Sequence, residues 1–141
     1  MKIDFDTIEL AFYFVSGDGQ FVNSAFLSRT TGQTYFISGY GDSDELPEDI
    51  ENSEIYVEIP HKNDLNLGKQ LVRAFASEYL PDHLDKIEMI FSRAGAYSWF
   101  KDFLSERNLL ETWYRFEEEN IQAALKAWCK ENDIQLQEPE M

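Results

Sequence analysis

Cysteine is almost absent from this chain: Cys129 is the single thiol among 141 residues, so no internal disulfide can form. That scarcity fits a reducing compartment, and a cytoplasmic location is expected. Long apolar runs are missing too. The longest, Leu10 to Val15, is far shorter than the roughly 20 residues a membrane-spanning helix requires. The opening MKIDFDTIEL mixes charged with apolar residues, so no signal peptide is expected. Only four prolines occur, and no stretch rich in Gly, Ser or Pro separates one region from another. A single domain over residues 1–141 is therefore the expectation.

Positive charge is the next shortage. The formal net charge is -15, and residues 1–61 carry 12 carboxylates against only Lys2 and Arg29. Residues 62–141 carry 15 against 10. A field of this sign repels phosphate backbones and anionic lipid, which argues against general nucleic-acid or membrane-surface binding. Chemical signatures are lacking as well: there is no Gly-rich phosphate loop, no nucleophile elbow and no zinc-type Cys/His set. No cofactor, no resident metal and no reaction centre are expected.

What is present is aromatic. Phe, Tyr and Trp make up 15% of the chain, enough to build a core without covalent staples. Asp6 opens a capping-box-like start, and Ile8, Ala11, Phe12 and Val15 recur at helical spacing until Gly17 and Gly19. Residues 24–29 and 34–38 flank Thr-Thr-Gly-Gln, with Gly32 placed for a hairpin loop. Residues 54–60 alternate, setting Ile55, Val57 and Ile59 on one face of a third strand. After Pro60 the period becomes helical. Asn63 or Asp64 is placed to cap a helix carrying Leu67, Leu71, Ala74 and Phe75, which ends at Pro81. Leu84, Ile87 and Phe91 mark a short helix ending near Gly95. Tyr97, Phe100 and Leu104 mark another, which Asn108 can terminate in the left-handed conformation. The last helix runs from near Leu109 to about Asn132. The fold class is α+β: an amino-terminal helix, a small three-stranded antiparallel sheet, then about four helices packed on it. The sheet's edge strands offer a route to homo-oligomers.

Three places have chemical content. The acidic loop 41–49 suggests a hard cation, but it lacks the ligand alternation of a calcium loop, and we read it as solvated. His61 follows a strand with Asp64 in reach, a weaker candidate site without a nucleophile. Cys129, near a helix end, is read as structural. The richest stretch is 91–102 with Leu110 to Phe116. There Arg93 precedes a glycine turn into a helix, Tyr97 and Lys101 lie four apart, and Trp113 and Tyr114 follow. These five are the candidate anion-binding or partner-binding residues. The alternative is that the rings fill the core while Arg93 and Lys101 pair with surplus carboxylates.

FSRAGAYSWFKDFL, LLETWYRFEEE, LPEDIE and EIPHKNDLNLGKQL together resemble a family of uncharacterised bacterial proteins of about this length. The resemblance spans nearly the whole chain. Phe100, Phe103, Trp113 and Tyr114 match the family pattern, whereas Ala94 and Trp99 stand where lysine or arginine is more usual. It implies no catalytic role. Three functions follow as expectations: a non-catalytic interaction or regulatory module for another protein, a nucleic-acid mimic directed at a DNA-binding protein, and an enzyme or binding protein for a small anionic ligand that uses Arg93, Lys101 and His61.

Overall fold

The structure, a computed structural model, describes residues 2–17, 19, 21–41 and 43–137. The chain forms two compact units. One comprises the residues before Asn66 and after Ile121; the other is Asn66–Ile121.

The first unit begins with α1 (Phe5–Ser16). Its cap is Asp4 rather than Asp6: the Asp4 side chain accepts from the Asp6 N–H, satisfying one of the donors a helix start leaves open. Ile8, Ala11, Phe12 and Val15 are buried, as their spacing predicts. Strands β1 (Ser24–Ser28), β2 (Thr34–Ile37) and β3 (Tyr56–Glu58) form one antiparallel sheet with β1 in the centre. Gly32 has φ 76°, the left-handed geometry the hairpin loop needs. Helix α1 packs on β1 and β2, where Ala25 and Leu27 point into the core. The third strand is shorter than the sequence suggests, although Val57 and Ile59 are buried.

The acidic loop serves this sheet. Asp44 accepts the Phe36 N–H on its carboxylate and donates its own N–H to the Phe36 carbonyl, so the chain itself occupies the outer edge of β2. Asp49 accepts from the Tyr56 hydroxyl. Asp42 lies outside the described residues. Behind the loop, Asn23 is buried and joins two segments. Its amide donates to the Phe14 carbonyl and its oxygen accepts the Gly39 N–H. Ile3 also bridges to the segment around Leu136, a pairing between residues far apart in the chain that no local pattern announces.

The second unit is helical: α2 (Lys69–Tyr79), α3 (Leu84–Ile90), α4 (Ala96–Ser105) and the first part of α5 (Leu110–Glu131). Helix α2 starts later than predicted because Asn66 takes φ 58° and breaks the chain after a short 3-10 turn, Lys62–Leu65. Its buried stripe is Leu71, Val72, Phe75 and Ala76, while Ala74 faces out. Gly95, at φ 73°, turns the chain into α4, and Asn108 closes that helix at φ 57°, as expected. The rings of this unit pack on one another. Phe75, Phe100 and Trp113 meet edge-to-face with centroids 5.2 to 6.5 Å apart, and Phe91 and Phe116 join them. An exposed ion pair from Arg73 to Glu88, at 2.6 Å, ties α2 to α3 and lowers the Glu88 carboxyl pKa. Among the described residues no helix is long and apolar enough to cross a membrane.

A methyl group added at Gly39 would lie 2.5 Å from the Val22 carbonyl oxygen, a backbone atom with little room to yield. Gly39→Ala is therefore expected to destabilise the protein by about 1–3 kcal/mol, read as a lower urea midpoint at unchanged slope; an unchanged midpoint would show that this loop does not pack as described.

Candidate functional site

Five aromatic or basic residues of the second unit were singled out from sequence, and the structure gives them different surroundings. Trp113 is 1% exposed and lies within the ring cluster; its indole N–H has no hydrogen-bond partner among the described residues. Tyr97 is half-buried, edge-on to Phe91, and burial, with the Glu117 charge adding to it, raises its phenol pKa above the usual value. Lys101 sets its ammonium 5.6 Å from the centre of the exposed Tyr114 ring. Arg93 is exposed, with no ion pair among the described residues.

His61 and Asp64 belong to the first unit. The His61 side chain is buried, and its Nδ1 accepts the Asn63 N–H. The Asp64 carboxylate accepts the His61 backbone N–H, which closes the 3-10 turn. Both contacts stabilise a local turn. Among the described residues no three His, Cys, Asp or Glu side chains gather as a metal ion would require.

Arg93 has different company. It lines a groove of about 580 Å³ between α3 and α4, together with Lys86, Met89 and Ile90 on one wall and Trp99, Asp102, Phe103 and Glu106 on the other. The volume falls in the usual range for ligand sites. Each wall follows one helical stripe, i, i+3, i+4, i+7: 86, 89, 90, 93 and 99, 102, 103, 106. The first stripe runs past the end of α3 into the turn before Gly95. Two large apolar side chains stand open here, Trp99 at 62% exposure and Met89 at 55%. Trp99 is exposed because its neighbour Phe100 is fully buried and fixes the inner face of α4.

The charges divide by wall. Lys86 and Arg93 stand on the α3 side, Asp102 and Glu106 on the α4 side, and no ion pair crosses between them among the described residues. Glu106 instead lies 3.7 Å from Arg107. That arginine covers the Phe103 ring at 3.6 Å and donates to the Phe103 carbonyl, which holds this wall of the groove in place. Lys86, Met89, Trp99 and Phe103 were not picked out from the sequence. Their signal lies in the two stripes at i, i+3, i+4, i+7 spacing, whereas the Tyr97–Lys101 spacing marks another face of α4.

A family model matches residues 9–140, nearly the whole chain. The chain belongs to the uncharacterised protein family UPF0158. No curated protein and no solved structure matches it. The UPF0158 match includes both walls of the groove.

The lone thiol of this UPF0158 chain is 1% exposed, and burial raises the Cys129 pKa to about 11. A thiolate is the reactive form, and burial disfavours it at neutral pH. The linkage follows from the same shift. Above pH ~9 the unfolded thiol ionises while the folded one keeps its proton, so the native state binds more protons and stability falls as pH rises toward 11. Denaturant titrations between pH 8 and 11 are expected to show a shallower decline in Cys129→Ala than in the parent. Identical slopes would contradict the buried, protonated thiol.

Proposed function

We propose that the protein is a non-catalytic, cytoplasmic interaction module that docks a segment of another protein in the groove between α3 and α4. The supporting observation is the pair of open apolar side chains, Trp99 and Met89, set in a groove beside cations, Lys86 and Arg93, that have no ion pair among the described residues. Exposed tryptophan and arginine together are the usual composition of an interface anchor, where a few residues carry most of the binding energy. The open walls suit a chain segment better than a small molecule, because small-ligand sites bury about 70–90% of what they bind.

Catalysis finds less support. The Cys129 thiol is held protonated, and His61 spends its Nδ1 on a backbone turn. The acidic first half would steer a partner that carries positive charge elsewhere on its surface, speeding encounter without entering the groove.

Site-specific photo-crosslinking in cells tests this reading. A photoreactive residue replacing Met89 is expected to trap a defined polypeptide, and the product should fall by about tenfold or more when Trp99→Ala is added. A photoreactive residue replacing the exposed Tyr114, which lies beside Lys101 and outside the groove lining, should not trap it. Equal capture from both positions, or capture indifferent to Trp99→Ala, would overturn the docking reading.

A further inference from the structure

We infer that the occupant of the groove is an amphipathic helix from a partner protein, with an apolar ridge flanked by acidic residues on one side and basic residues on the other. This rests on the docking reading above and adds the chemistry of the partner. The two walls supply the argument. Residues 86 to 90 rise about 6 Å along α3, with Arg93 in the turn beyond its end, and the opposite stripe from 99 to 106 rises about 10 Å along α4. A helix lying between them offers an i, i+3, i+4, i+7 ridge that matches the α4 wall in extent. Its centre meets Met89, Ile90, Trp99 and Phe103.

The flanks are set by charge. Lys86 and Arg93 have no carboxylate partner among the described residues, although the chain carries 27 acidic residues against 12 basic ones. Arg73 is engaged by Glu88, Arg107 by Phe103 and Glu106, and Lys101 by the Tyr114 ring, whereas Lys69 and Arg115, outside the groove lining, share with Lys86 and Arg93 the lack of an ion pair among the described residues. Two unpaired cations on one wall therefore face toward carboxylates of the partner. Asp102 and Glu106 on the other wall ask for the opposite sign. A uniformly basic helix would satisfy the global field but place like charges beside Lys86 and Arg93, and a uniformly acidic one would meet Asp102 and Glu106. A second copy of the chain is disfavoured, because association would bring two bodies of charge -15 together.

The readout is Trp99. Trp113 and Trp128 are 1% and 9% exposed, so acrylamide quenching of the intact protein reports mainly on the exposed indole. Three synthetic helical peptides share one apolar ridge and differ in their flanks: glutamate on one side and lysine on the other, lysine on both, glutamate on both. At moderate salt the mixed peptide is expected to shield Trp99 at about fivefold lower concentration than either uniform one. In Lys86→Glu/Arg93→Glu the all-lysine peptide should become the tightest. If the all-lysine peptide already binds the parent most tightly, or the charge reversal leaves the order unchanged, the flank assignment is wrong while docking stands. If none of the peptides shields Trp99 up to millimolar concentration, both fall.

Discussion

The helical unit depends on one contact set, the edge-to-face cluster in which Phe75, Phe100 and Trp113 meet from α2, α4 and α5. Each ring removes a large apolar area from water, and the perpendicular geometry adds roughly 0.5–1.5 kcal/mol per pair beyond that area. Because Phe100 is fully buried here, the rotation of α4 is fixed. The consequence is felt one residue away. Successive helical positions are about 100° apart, so with Phe100 inward Trp99 is carried to the edge of the buried face and opens to solvent. Phe91 packs on Phe100 and so holds the turn after α3 against α4. A groove walled by these two helices follows from the core.

The same economy of contacts appears in the other unit, where polar residues do the shaping. A three-stranded sheet is at the lower limit of independent stability and needs a cover, which α1 provides. Its β2 edge is closed by Asp44, so part of the chain's negative charge protects backbone hydrogen bonds. Asn23 and Gly39 hold the adjoining loops against each other. Acidity here is a structural resource as well as a contribution to net charge.

Much of this architecture was legible in the sequence, for reasons that are local. Period-2 and period-3.6 patterns located the helix, the hairpin and the later helices, and Gly32, Gly95 and Asn108 marked the left-handed turns. What was not legible depends on neighbours far along the chain. Nothing near Asn66 announces that it breaks the helix read through it, and the Asp44 bond to Phe36 needs the loop to fold back on the strand. The site was half visible. Arg93, a candidate because arginine beside a glycine turn is conspicuous, lines the groove, whereas Trp113 looks like a surface anchor until its burial is known. Trp99 looks like core for the same reason in reverse. Aromatic residues at adjacent positions on an amphipathic helix cannot be sorted into inside and outside by type alone, since the core chooses by shape.

The central claim is that burial of Phe100 in the ring cluster leaves Trp99 open before any partner arrives. The most direct measurement is fluorine NMR of protein labelled with 5-fluorotryptophan at Trp99, Trp113 and Trp128, comparing spectra in light and heavy water. One of the three resonances should show a large solvent-isotope shift and vanish in Trp99→Phe, while the other two stay nearly unmoved. Three insensitive resonances, or a sensitive one that belongs to Trp113, would contradict the account.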